Sequence, residues 1–114
     1  MKILSNRTRR VGENIRAVLS EVLLSKKNSI NGLEYEFITV TEVQPTADLR
    51  KAKVFISCMG KDEKTIVDIL NDNASFFSRQ VAKELNTKYS PKLSFQTDYS
   101  FSEAKKINEL INSK

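Results

Sequence analysis

Arginine and lysine side chains are the groups in this sequence whose type and spacing point most directly to a chemistry. Arg7, Arg9 and Arg10 stand at the start of the first amphipathic segment, and Arg16 follows seven residues after Arg9. Seven residues are close to two helical turns, so Arg9 and Arg16 are expected to share one helix face. Cations at a helix start oppose the macrodipole by about 0.3 to 1 kcal/mol each. This placement favours contact with a polyanion, and a basic terminus kept for solubility is the alternative.

Two further basic groups are candidates for the same contact. Arg50, Lys51 and Lys53 lie at the start of the second expected strand, and Arg79 and Lys83 lie one helical turn apart. The Arg79 and Lys83 pair carries a like-charge penalty that neighbouring phosphates would relieve. For Lys53 alone, protection of an edge strand against aggregation is the preferred interpretation.

The composition argues against catalysis and against a metal site. The chain has no histidine and a single cysteine, Cys58. The commonest general base and metal ligand is therefore missing, and no structural zinc site can be assembled. No glycine-rich phosphate loop or nucleophile elbow is present either. We expect no enzyme, no cofactor and no small-molecule substrate, and a small nuclease working through carboxylates is the remaining catalytic alternative.

The overall charge and length predict a soluble basic domain. The formal net charge of +5 and the pI near 9.4 favour a polyanionic partner, nucleic acid first and an acidic membrane surface second. The 114 residues fit a single domain, 1–114. The lone cysteine indicates a reducing compartment, and neither a signal peptide nor a membrane-spanning run is recognised. We therefore expect a cytoplasmic protein, and the absence of a spare apolar helix face predicts a monomer.

The apolar periodicity predicts an α+β fold, with a three-stranded sheet covered by helices on one face. The first two strands are expected to pair as antiparallel neighbours, and Asp62 is expected to cap the second helix. A capping pair, Ser100 and Glu103, predicts a last helix. The expected elements are a helix over 5–25, strands over 35–43 and 52–59, helices on both sides of a kink between 60 and 85, a strand within 87–100 and the last helix.

The stretch ILNDNASFFSRQ, residues 69–80, predicts the kink. Leu70 and Phe77 are in phase with one continuous helix, but the asparagines and serine between them favour caps and turns. We expect two helices that meet near Ala74, Ser75 and Phe76, with backbone amides that could face an anion. Burial of Phe76 is favoured over base stacking. The aromatic residues expected to pack on the sheet are Tyr35, Phe37 and Phe55.

Four stretches, read in order, resemble the bacterial ribosome-binding factor A family. The resemblance spans roughly Arg7 to Ile111 and implies a type II KH-like domain, with helix, kink and helix in place of a GxxG loop. Arg10 and Arg79 match recurrent arginines of the family, whereas Phe76 stands where the family has glycine. The stretches are RRVGENI, ITVTEVQPTADLRKAKVFIS, NASFFSR and SPKLSFQTDYS.

The resemblance also implies a function without chemistry. It implies a factor that binds the immature small ribosomal subunit through ribosomal RNA near the 5′ terminal helix. Such a factor assists late assembly and precursor processing, notably in the cold. Asp48 and Ala52 match the family's strand connection, and the charged C-terminal extension that many members carry is short here. A basic KH-like module that docks on an acidic protein is the alternative function.

Overall fold

The computed structural model describes residues 6–26, 29–33, 37–58, 62–87 and 90–98. The expected last helix, with Ser100 and Glu103, lies outside these residues. The order of the described elements confirms the predicted one as far as the third strand. The elements are α1 (Asn6–Lys26), β1 (Ile38–Pro45), β2 (Lys51–Cys58), α2 (Glu63–Asp72), α3 (Ala74–Leu85) and β3 (Lys92–Thr97).

The described strands form a mixed sheet in the order β1-β2-β3. β1 pairs with β2 in the antiparallel sense that the sequence predicts, with a register shift between Val40 and Glu42. β3 pairs with β2 in the parallel sense, with Lys51 beside Lys92. β2 is therefore the central strand, and the interpretation of Lys53 as a guard of an edge strand is wrong.

All three described helices cover the same face of the sheet, as predicted. Alternation along β2 buries Ala52, Val54, Ile56 and Cys58 on that face. Phe77 of α3 lies at its centre, 1% exposed, with its ring centroid 5.4 Å from that of Phe95. The core residues from the helices include Ile15, Leu19, Val22, Leu23, Ile66, Leu70 and Val81.

Two of the aromatic residues expected to pack on the sheet do not belong to this core. Phe37 precedes β1 and is 76% exposed, so that expectation is wrong for Phe37. Phe55 is half-buried and lies on the opposite face of β2, because its neighbours Val54 and Ile56 point into the core. Tyr35 lies outside the described residues.

Gly12 fixes the first half of α1 against the end of β1. A β-carbon at Gly12 would lie 2.7 Å from the carbonyl oxygen of Val43 and 3.1 Å from Cδ of Pro45. Any larger side chain would therefore push the helix away from the sheet. This close approach sets where the arginines of α1 lie.

The joint between α2 and α3 lies at Asn73, one residue before the predicted kink. Asn73 leaves the helical conformation with φ −107° and ψ 17°. Its side-chain amide donates to the carbonyl of Ile69 over 2.8 Å, so it stays bonded to α2 and does not cap α3. Ala74, Ser75 and Phe76 form the first turn of α3.

Candidate nucleic-acid interface

The turn between β1 and β2, residues 46–50, holds the backbone of Arg50 in place by hydrogen bonds. The hydroxyl of Thr46 donates to the carboxylate of Asp48 over 2.6 Å, and the same carboxylate accepts the backbone N–H of Arg50 over 3.1 Å. These bonds stabilise the ionised carboxylate and lower the pKa of Asp48. The backbone N–H of Thr46 closes the turn by donating to the carbonyl of Lys51. Asp48 is thus the turn residue that the strand connection requires.

Hydrogen bonds join this turn to β3 and to α3. The backbone N–H of Lys92 donates to the carbonyl of Arg50 over 2.8 Å. The hydroxyl of Ser78, in the middle of α3, donates to the carbonyl of Pro91. We call this part of the molecule, where β1 ends and β2 and β3 begin, the turn end of the sheet. The contacts of Gly12, Arg50 and Ser78 bring α1, the turn and α3 together there.

The four predicted arginines of α1 are all exposed. Arg9 and Arg16 share one side of the helix, whereas Arg7 and Arg10, three residues apart, share another. The first turn of α1 contains no acidic residue. Because Gly12 rests on Pro45, this arginine-rich half of the helix lies beside the turn end.

The two predicted cations of α3 have different surroundings. Arg79 is exposed and follows Ser78, whose hydroxyl bonds to Pro91, so Arg79 lies one residue from a contact between α3 and the turn end. Lys83 lines a shallow groove between α1 and α3 that Lys26 also lines. Glu21 and Glu84 line the same groove, so the charge around Lys83 is mixed.

Lys51 and Lys53 lie on the other face of the sheet. Both are exposed, while Ala52 between them is buried under the helices. The nine predicted cations thus do not form one continuous surface. Lys51 and Lys53 lie on the sheet face, and Arg50 lies in the turn between this face and the helices. The helix layer carries the other six, which are Arg7, Arg9, Arg10, Arg16, Arg79 and Lys83.

Sequence reasoning missed Lys92, which the structure adds to the turn end. Lys92 is exposed and is the register partner of Lys51. In the sequence, Lys92 is recognisable only as a lysine that follows Pro91 at the start of an expected strand. Lys51 becomes the neighbour of Lys92 through the parallel pairing of β3 with β2, and no local sequence pattern predicts that pairing.

The joint itself is a weaker candidate for an anion site than the sequence suggested. Asp68 and Asp72 stand exposed on the last turns of α2, immediately before the joint. Phe76 is half-buried and packs edge-to-face on Phe77, with ring centroids 5.3 Å apart. Phe76 does not have a positive φ, so glycine-like freedom is not needed at this position.

Within the described ranges, no group of three or more histidine, cysteine, aspartate or glutamate side chains is arranged to hold a metal ion. In the same part of the chain, no helix has both the length and the apolar character needed to cross a membrane.

The fold and the surface together define a class of protein. The order helix, strand, strand, helix, helix, strand, with a glycine-free joint and a basic sheet end, is that of a KH-like α+β domain. The sequence profile of ribosome-binding factor A matches residues 7–111. The chain belongs to the ribosome-binding factor A family.

Individual relatives agree with this assignment. Ribosome-binding factor A of Zymomonas mobilis is 41% identical over 110 residues, which cover 96% of this chain and 78% of the relative. The solution structure of a Thermotoga maritima protein, assigned as a ribosome binding factor A, superposes with a TM-score of 0.69 and 28% identity over 84% of this chain and 91% of that chain.

A third comparison supports the fold alone. A homology model of the Thermus thermophilus ribosome binding factor A, fitted into a map of a 30S complex of that protein, gives a TM-score of 0.51 at 18% identity. The match covers 72% of this chain and 92% of that one.

Proposed function

We propose that this protein binds the immature small ribosomal subunit through its ribosomal RNA and assists late assembly without catalysing a reaction. The observation that carries the proposal is the turn end, where α1, the β1–β2 turn and α3, each with exposed arginines, meet. Family membership supports it, and the Thermus thermophilus ribosome binding factor A is described in a complex with the 30S subunit. The finer parts of the proposal are contact near the 5′ terminal helix, help with precursor processing in the cold, and a cytoplasmic monomer.

The proposed mechanism uses position and charge only. Arg10 and Arg79 are held by two elements that bond or pack directly onto the turn end. Guanidinium groups donate bidentate hydrogen bonds to phosphate, so a rigid pair can select the relative position of two RNA segments. Holding immature RNA in one arrangement assists assembly without any bond being made or broken.

Co-sedimentation with immature small subunits tests this proposal. We expect Arg10→Gln and Arg79→Gln each to weaken association severalfold, because each removes a charge-assisted phosphate contact. Lys64→Gln on the acidic helix α2 is the matched control and should bind like the parent protein. Thermal unfolding checks that all three variants fold.

The salt dependence of binding separates RNA from an acidic protein partner. Each phosphate contact contributes about 0.7 to 0.9 to the decline of log K with log salt. Arg10→Gln and Arg79→Gln should each reduce the slope by about that amount. Co-sedimentation of both variants at the parent level, or a slope near zero for the parent protein, would count against the proposal.

A further inference from the structure

Three lysines lie together on the face of the sheet opposite α1, α2 and α3. Lys51 and Lys53 point to this face of β2, and the β2–β3 register places Lys92 beside Lys51 and Ser94 beside Lys53. Residues on one face of a strand are about 6.8 Å apart, and neighbouring strands are about 4.8 Å apart. The three side chains therefore start within one small area, the sheet-face lysine patch.

Fold stability does not account for this patch. Like charges side by side on a sheet are destabilising, and edge protection does not apply to Lys51 and Lys53, which lie on the central strand. The register partners of Lys53 are neutral, Gln44 on one side and Ser94 on the other. Glu42, the acidic residue of β1, lies opposite Phe55 and accepts a hydrogen bond from the side chain of Gln44. A bound polyanion would remove the repulsion among the three lysines.

Phe55 gives the same face an aromatic surface. It follows Lys53 by two residues, so it lies on the same face, and it is half-buried without belonging to the core. Its register partner on β3 is Gln96, which follows Ser94 on that strand. Cations beside a partly exposed aromatic ring are the combination that proteins use to hold unpaired nucleic acid, with phosphates on the cations and a base on the ring.

We propose that this face of the sheet binds a single-stranded RNA segment, with phosphates on the sheet-face lysine patch and one base stacked on Phe55. The proposal rests on the RNA binding of the proposed function and adds a second surface to it. The arginines of the helix layer and the lysine patch would then hold two RNA segments on opposite faces of one small domain. A duplex does not fit the second surface, because its paired bases cannot stack on the ring of Phe55.

Binding of a labelled ten-nucleotide unpaired RNA, followed by fluorescence anisotropy over a range of salt concentrations, tests the proposal. The triple variant Lys51→Gln, Lys53→Gln, Lys92→Gln should reduce the slope of log K against log salt by about 2. Phe55→Leu, which keeps an apolar side chain, should weaken binding about tenfold while leaving the slope unchanged. Lys64→Gln is the control for loss of one exposed lysine and should bind the RNA like the parent protein.

The outcomes separate this proposal from the proposed function. Parent protein that co-sediments with small subunits but ignores the unpaired RNA overturns the sheet-face proposal and leaves the proposed function standing. Full RNA binding by the triple variant overturns it as well, and so does equal affinity for a duplex of the same length. If polyglutamate displaces the labelled RNA as effectively as unlabelled RNA does, and Phe55→Leu does not weaken binding, the occupant is an acidic protein and the sheet-face proposal is overturned. The three lysines are exposed, so their replacement leaves the fold available for measurement.

Discussion

Gly12 is the single residue that most directly determines where the candidate surface lies. Helix propensity alone would favour alanine over glycine in the middle of α1 by about 1 kcal/mol. The contacts with Val43 and Pro45 oppose that preference, because a backbone oxygen cannot move aside as a flexible side chain can. The place where the arginine-rich half of α1 packs on the sheet therefore depends on the absence of a β-carbon at Gly12.

Gly12→Ala should lower the free energy of unfolding by about 1 to 3 kcal/mol, through overpacking against β1. Ala17→Gly, at an exposed position of the same helix, is the matched control and should lower it by about 1 kcal/mol through propensity. Urea unfolding measures both. A more stable Gly12→Ala protein would show that α1 does not approach β1 this closely.

Asp62 gives stability a defined dependence on pH. Its carboxylate accepts the hydroxyl of Thr65 over 2.8 Å and the backbone N–H of Lys64 over 3.1 Å. The hydroxyl of Thr65 contributes most to lowering the pKa of Asp62 below its ordinary value of 3.8. Because the folded-state pKa is depressed, the charged form stabilises the fold above pH 3.8, and this contribution is lost as pH falls through the lower folded-state value.

Asp62→Asn keeps a side-chain oxygen for the cap and removes the charge. We expect Asp62→Asn to be less stable than the parent protein at pH 6 and the difference to shrink at pH 2.5, as measured by denaturant unfolding at both values. Asp62→Ala also loses the side-chain cap of α2, so this variant should stay less stable than Asp62→Asn at both pH values. A difference between parent and Asp62→Asn that grows on acidification would contradict the sign of the pKa shift.

At the scale of the elements, the side chain of Asn71 acts as a partner for the outer edge of β3. Its amide nitrogen donates to the carbonyl of Phe95 over 3.0 Å, and its amide oxygen accepts the N–H of Phe95 over 2.8 Å. The end of α2 therefore satisfies the edge of β3 that faces away from β2.

Asn71→Ala should cost about 1 to 3 kcal/mol, because the Phe95 amide and carbonyl lose their partner. Hydrogen exchange should show lost protection at the Phe95 amide in particular, while amides that bond between β2 and β3 remain protected. Asp72→Ala, the exposed neighbour, is the control and should leave Phe95 protected. Unchanged exchange at Phe95 in Asn71→Ala would mean that another group covers this edge.

Phe76 tests whether the joint needs a glycine. Phe76 lies in the first turn of α3, half-buried against Phe77, and its φ is not positive. Phe76→Ala should cost about 2 kcal/mol in lost apolar burial, and Phe76→Gly about 1 kcal/mol more through helix propensity. Denaturant unfolding of the two variants decides the question. If Phe76→Gly is the more stable of the two, the joint does use glycine-like freedom.

Local sequence patterns predicted the helices and strands well, but they predicted only part of the strand pairing. The period-2 alternation of β2 identified its buried face, because Ala52, Val54 and Ile56 point the same way in any such strand. The polar run before Ala74 located the joint to within one residue. The parallel pairing of β3 with β2 depends on contacts across about 40 residues of chain, which no local pattern contains. For that reason Lys92 was missed and Lys53 was misassigned to an edge.

At the scale of the whole molecule, charge is divided along the sheet. The turn end carries Arg50, Lys51 and Lys92 together with the arginine-rich half of α1. α2 and its cap follow the opposite end of β2 and carry four carboxylates and one lysine. A field divided in this way turns the basic end toward a polyanion before contact is made.

This division of charge predicts that removing charges from the basic end and from the acidic helix α2 will affect RNA binding differently. Arg9→Gln with Arg16→Gln removes two cations from one side of α1, so the slope of log K against log salt for small-subunit RNA should fall by about 1.4 to 1.8. Asp68→Asn with Asp72→Asn removes two charges from the acidic helix and gains no phosphate contact. We expect this pair to leave the slope unchanged and to raise the association rate no more than about threefold, by weakening long-range repulsion.

Stopped-flow association and equilibrium titration, each over a range of salt concentrations, measure the two quantities. A steeper slope in the aspartate pair would mean that RNA reaches the joint between α2 and α3, as the sequence first suggested. An unchanged slope in the arginine pair would mean that the side of α1 with Arg9 and Arg16 faces away from RNA, and the surface would then shrink to Arg7, Arg10, Arg50, Arg79 and the sheet face. The two double variants thus decide, on one protein of constant fold, which end of the molecule meets the ribosome.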